Sequence, residues 1–168
     1  MGSKGKGRLS PSASSPKGPL VVAAGAAKAC PKRLLGVADD AGGLHPTWRF
    51  SLLDQEYSDG WWWPDDPAEL LGIMTFLGEM ERLTWKEIRA LMTGGNRRRG
   101  ALHKDIPVSS LCTVAQQRLI VLSMDDFDQV FRFRRGNLPR LWGVIMDAVF
   151  YPIWWDPEHK ICPSGDRD

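Results

Sequence analysis

Three consecutive stretches, residues 129–135, 140–146 and 149–155, constrain the fold more than any other part of this chain. Each is a run of β-branched, aromatic and long side chains, and two short turns separate them. The first turn holds Gly136, Asn137, Leu138 and Pro139; the second holds only Asp147 and Ala148. Loops this short cannot carry a crossover, so neighbouring strands must pair antiparallel, as a meander. Because side chains alternate along a strand, Arg132 and Arg134 share one face with Val130, while Phe131 and Phe133 point the other way. That alternation sends the phenylalanines under a helical layer and the arginines outward. On the second strand Arg140, Trp142, Val144 and Met146 share a face; Leu141 and Ile145 share the other, with Gly143 leaving room for a ring or helix to approach. On the third, Val149, Tyr151, Ile153 and Trp155 alternate with Phe150, Pro152 and Trp154. Pro152 removes a ladder donor, which predicts a bulge or an edge position.

The segment upstream reads as helical. Asp66 is a good N-cap, Pro67 suits the first helical position and Glu69 stands where it can reach back to the cap. Leu70, Ile73, Leu77 and Met80 then recur at helical spacing. Thr84 and Glu87 form a second capping box ahead of Trp85, Ile88 and Leu91, with Gly94 and Gly95 as the stop. A third helix fits residues 113–122, with Thr113 and Gln116 as its capping box and Ala115, Leu119 and Leu122 as its apolar side. Residues 48–54 carry a brief alternation, a short strand or extended arm. Trp61, Trp62 and Trp63 cannot all face one way, so at least one is part-exposed; the trio is a clasp over the domain or an aromatic platform. Helices followed by a meander give an α+β fold: two or three N-terminal helices packed on a C-terminal three-stranded antiparallel sheet.

The near-neutral total of +2 conceals segregated charge. Residues 1–46 carry seven Lys/Arg against two acids, residues 47–96 four against nine, and residues 97–140 nine against four. The first segment is also rich in Gly, Ser, Pro and Ala, without the apolar surface that offsets backbone ordering. The expected organisation is therefore a disordered basic tail over 1–46, one α+β domain over 47–163 and a disordered C-terminus over 164–168. Asn96 to Gly100 reads as an exposed basic loop. No apolar run approaches the ~18 residues that span a bilayer, which argues against a membrane partner. Residues 20–29 loosely imitate a signal peptide. Cys30, Cys112 and Cys162, however, are scattered without a CxxC pair, which favours free thiols and a cytoplasmic chain over an exported one.

Chemistry-bearing residues gather where the meander ends. Asp156 and Pro157 terminate the last strand and leave Glu158, His159 and Lys160 in a loop beside the strand arginines. Arginines clamp phosphate oxygens and stabilise added negative charge, and an imidazole titrates near neutrality. A plainer alternative has His159 packed on Trp154 or Trp155 as an ordinary loop histidine. His103 and Lys104 form a second, weaker candidate pair. No GxGxxG, P-loop, GxSxG or HExxH motif is present, and no ligand set predicts a metal or other cofactor.

The run from Phe131, Arg132, Phe133, Arg134 and Arg135 through Pro139, Arg140, Leu141, Trp142 and Gly143 to residues 149–160 resembles the RelE/ParE superfamily of bacterial toxins. The resemblance covers about residues 110–162. It implies a metal-independent endoribonuclease in which Arg132, Arg134, Arg140, His159 and Lys160 surround the scissile phosphate. A base would activate the ribose 2′-hydroxyl and arginines would stabilise the phosphorane. Arg135, Lys104, Trp142, Trp154 and Trp155 would bind the RNA, which could be ribosome-bound mRNA, and a small antitoxin-like protein would neutralise the toxin. The chain departs from the pattern by lacking the usual C-terminal tyrosine, by its extra N-terminal segment and by Pro152. The same resemblance leaves open a noncatalytic protein-binding module and a topoisomerase-inhibiting toxin.

Overall fold

The computed structural model describes Gly2, residues 41–94 and residues 100–162. Most of the predicted basic tail, Cys30, the arginines of the predicted 96–100 loop and the predicted disordered C-terminus lie outside the described residues. Chain order is β1 (Thr47–Trp48), α1 (Pro67–Met80), α2 (Trp85–Ala90), β2 (Lys104–Pro107), α3 (Thr113–Val121), β3 (Gln129–Arg134), β4 (Arg140–Met146) and β5 (Val149–Asp156). The meander lies where alternation puts it, yet it is only the centre of the sheet. Five strands are present in the order β1-β5-β4-β3-β2, not the three expected. β2 pairs antiparallel with β3, and β1 runs parallel to β5. Neither outer strand has a sequence signal of its own: β1 is two residues long, and β2 is four residues ending on Pro107. The predicted arm over residues 48–54 is a strand only at its first residue.

Asp147 and Ala148, both at positive φ, make the two-residue turn between β4 and β5. Pro152 does produce a bulge. Trp142 pairs with Trp154 but Gly143 pairs with Pro152, so Ile153 is the extra residue on β5. The bulge reverses the alternation that simple counting assigns beyond it. Trp154 joins Trp142, Val144 and Ile153 in one apolar cluster, and Trp155 joins Leu141 and Phe150 in the other. Gly143 admits the Phe150 ring and the Tyr151 carbonyl, which a Cβ there would strike.

The sheet is covered on both faces. Phe131, Phe133, Leu141, Phe150 and Trp155 pack with Ile73, Leu77 and Met80 of α1 and Trp85 and Ile88 of α2. Val130, Trp142, Val144 and Trp154 pack with Ala115 and Leu119 of α3, together with Trp61, Met124 and Ile161. The arginine face is therefore not simply open to solvent, because α3 and the chain after β5 lie over much of it. Leu70 of the predicted α1 stripe is exposed instead.

The caps divide by chemistry. Thr84 and Glu87 form the predicted capping box, but α2 ends at Ala90, ahead of the glycines. Asp66 caps α1 through the Ala68 amide; Glu69 turns away from the cap and accepts the Trp155 indole N–H at 2.7 Å. Cys112, not Thr113, is the N-cap of α3, and the Gln116 amide donates to the Leu111 carbonyl. Residues 41–46, assigned to the tail by composition, belong to the fold: the Leu44 carbonyl accepts from Trp85 N, and His45 Nδ1 lies 3.0 Å from the Glu81 carbonyl. Of the tryptophan trio, Trp61 is buried against Tyr57 and Trp154, Trp63 is half-buried and Trp62 is exposed. No helix among the described residues is long and apolar enough to cross a membrane.

Candidate functional site

Strand register assembles a cationic patch on the α3 face of the sheet. Cross-strand partners share a face. Lys104 of β2 stands opposite Arg132 of β3, which stands opposite Trp142 of β4. One step along, Arg134 faces Arg140, which in turn faces Asp156 of β5. Two like charges placed directly opposite repel one another, so the Arg134–Arg140 pair costs stability unless something anionic lies near. Among the described residues, none of Arg132, Arg134 and Arg140 forms an ion pair. Arg134 Nε donates to the Gly136 carbonyl and Arg140 Nη1 to the Pro139 carbonyl, each at 3.0 Å. Arg132 Nε and Arg140 Nε are buried without a hydrogen-bond partner.

His159 closes the patch. It occupies a left-handed conformation (φ 60°) in a loop that one buried carboxylate holds in place. Asp156 accepts from Lys160 N at 2.8 Å, Ile161 N at 3.0 Å and the Trp142 indole at 3.3 Å, which ties the loop to β4. The electrostatics agree with the geometry. Burial, then Arg140 and Arg132, push the His159 imidazole below its ordinary range, against the smaller opposing pull of Asp156. Burial, with Arg132 and Arg134 adding to it, pulls Arg140 down to about 10. Arg132 is lowered as well, mainly by burial. Near neutral pH the cluster therefore holds three guanidinium cations and a neutral imidazole whose Nε2 has no partner. Three cations beside a neutral base can bind a phosphate and accept a proton.

Other predicted site residues fall elsewhere. Trp142, Trp154 and Trp155 are fully buried, so none can stack on a base. Their indole N–H groups are all spent on carboxylates: Asp156, Asp54 and Glu69. Arg135 lies on the opposite face, with its guanidinium against Gly72 of α1 and 5.9 Å from the Trp155 ring centroid. Lys160 is exposed and paired with Glu158 at 2.5 Å, outside the arginine cluster. Lys104 is exposed at the sheet edge in register with Arg132 and is the one predicted binding residue that extends the patch.

Sequence reasoning undervalued two groups. His103 is 1 % exposed; its Nδ1 accepts from the Arg134 backbone N–H at 3.1 Å and its Nε2 has no partner. Arg118 of α3 makes a bidentate pair with Asp54, at 2.6 and 2.7 Å, and reaches Glu56 at 3.0 Å. An unpaired-looking arginine on a short helix gave no sign of that partner, since Asp54 lies 64 residues away. No group of three or more His, Cys, Asp or Glu among the described residues is placed to hold a metal ion. Comparison with family models, with curated proteins and with solved structures returned no match for this chain.

Proposed function

We propose that the Arg132–Arg134–Arg140–His159 cluster binds an RNA phosphodiester and that the chain is a metal-independent endoribonuclease of the RelE/ParE-like kind, held in check by a small antitoxin-like protein. The observation that carries the reading is a set of three buried and half-buried guanidinium groups, none of them in an ion pair among the described residues, against which the ladder sets one carboxylate, Asp156. Burying an uncompensated cation is costly, and a phosphate supplies the missing charge. In this reading Arg132 and Arg134, both half-buried, contact the phosphate oxygens. Arg140, at 4 % exposure, stands behind them and raises the local potential. His159 accepts the 2′-hydroxyl proton as the 2′ oxygen attacks phosphorus. The bond to the 5′ oxygen breaks, the leaving oxygen takes a proton from solvent, and a 2′,3′-cyclic phosphate and a 5′-hydroxyl remain. The lowered proton affinity of His159 suits it to start as the free base.

Purified protein incubated with a long unstructured RNA tests this. Cleavage to cyclic-phosphate ends is expected, with Arg140→Ala and His159→Ala losing at least a hundredfold in rate while remaining folded. RNA left intact by the wild-type protein, together with harmless overexpression, overturns the catalytic reading. A second reading, a noncatalytic module that binds a protein, is favoured by the exposure of Val114, Ile120 and Val121 on α3. Binding that persists at high salt would select it, because contacts to phosphates weaken steeply as salt rises.

A further inference from the structure

A second site lies on the α1 side of the sheet and shares one lining residue, Arg134, with the arginine patch. Between α1 and the β2–β3 edge runs a cleft of about 580 Å³, within the range of small-molecule pockets. It follows α1 from Ala68 to Met80, roughly 18 Å at the helical rise. Leu71, Phe76 and Leu102 give it apolar walls. Its polar lining combines the nitrogen-bearing side chains of His103, Arg134 and Arg135 with the Thr75 hydroxyl and the Glu79 carboxylate.

His103 decides what the cleft can hold. A ring nitrogen that accepts a backbone N–H has no proton of its own, so the contact from Arg134 N fixes the proton of the neutral ring on Nε2. Burial, reinforced by Arg132, pulls this imidazole down to about 4, so the ring is neutral at physiological pH. His103, which lines the cleft, therefore carries a fixed N–H donor that is buried and has no partner. At its α1 side the Arg135 guanidinium packs against Gly72 and over Trp155, and no carboxylate pairs with it among the described residues. Both features ask for an acceptor, and the walls ask for an apolar body.

We infer that this cleft binds a small amphiphilic carboxylate, with its head between His103 Nε2–H and the Arg135 guanidinium and its apolar part along Leu71, Phe76 and Leu102. The inference is separable from the nuclease reading: Arg134 lines both sites, but the head-group contacts assigned here use neither His159 nor Arg140.

Octanoate, with 1-octanol as the uncharged control, tests it by NMR titration of the full chain. Octanoate is expected to shift the His103 ring and Arg135 side-chain signals in a saturable way, with 1-octanol binding at least tenfold more weakly. His103→Phe removes the donor. Leu71→Trp plugs the cleft from a position that is 63 % exposed, where the fold tolerates the change. Each is expected to weaken octanoate at least tenfold, and Leu71→Trp alone decides the matter if His103→Phe does not fold. Equal affinity for the acid and the alcohol overturns the inference. So do unchanged binding in Leu71→Trp, shifts confined to the Arg132–Arg140–His159 cluster, and an absence of saturable binding.

Discussion

Arg118 and Arg140 are the same residue type under two opposite electrostatic arrangements, both on the α3 side of the sheet. Arg118 meets Asp54 through two short bonds and Glu56 through a third, and these acceptors push its proton affinity above the ordinary arginine range, outweighing burial. Asp54 is 2 % exposed; burial alone would raise its carboxyl, but bonds from Arg118, the Trp154 indole and the Glu56 amide outweigh that and hold it low. Arg140 has burial and two neighbouring cations against it, with only the more distant pull of Asp156 in its favour. The first arrangement holds the molecule together. The second is maintained at a cost, and a fold retains such a cost most readily where a ligand is meant to relieve it.

The largest effect should come from breaking the satisfied pair. Asp54→Ala strands Arg118 and the Trp154 indole and is expected to cost about 3–5 kcal/mol in urea unfolding. A loss below about 1 kcal/mol would erase the contrast between the two arginines. His103 sharpens the contrast through pH. Its folded proton affinity lies below the unfolded one, so its contribution is complete above pH ~6.5 and declines as pH falls toward about 4. That decline amounts to about 3 kcal/mol at most, and His103→Gln, which keeps an acceptor for Arg134 N, should abolish it. Asp54 is separable, because its contribution is present above the unfolded carboxylate range near pH ~4 and fades only below it. Next, a short RNA at a hundredfold excess over its Kd should raise wild-type stability by about 2.7 kcal/mol and raise that of Arg140→Met far less. Smallest of all, Arg140→Met without ligand should be neutral or stabilising by about 1 kcal/mol. A loss matching that of Asp54→Ala would make Arg140 a structural residue like Arg118.

The sequence disclosed what short-range periodicity controls. β3, β4 and the start of β5 carry alternation strong enough to set their bounds and to put Arg132, Arg134 and Arg140 on one face. Thr84 and Glu87 disclosed a helix start because both partners lie within one turn. What escaped was nonlocal. β1 exists only because β5 offers it a parallel partner about a hundred residues on, and β2 because β3 has a free edge. Pro152 announced a bulge, but the place of the extra residue depends on how Gly143 and Phe150 fit across the ladder. That reversal, together with the layer formed by α3, explains why three tryptophans that looked suited to stacking on RNA are interior. Composition likewise blurred the start of the fold, since Leu44 and His45 sit in a Gly- and Ala-rich context yet bond to α2 and to the end of α1.

The single inserted residue in β5 carries one more implication. Excising Ile153 would remove the bulge and restore strict two-residue periodicity, with Trp154 still opposite Trp142 and Trp155 still opposite Leu141. Each would keep its own layer, with Asp54 and Glu69 still placed to accept their N–H groups. A one-codon deletion here would therefore act as a straightening rather than an inversion, and its mark in the proton spectrum would be a displaced Trp63 indole resonance, since that N–H donates to the Ile153 carbonyl.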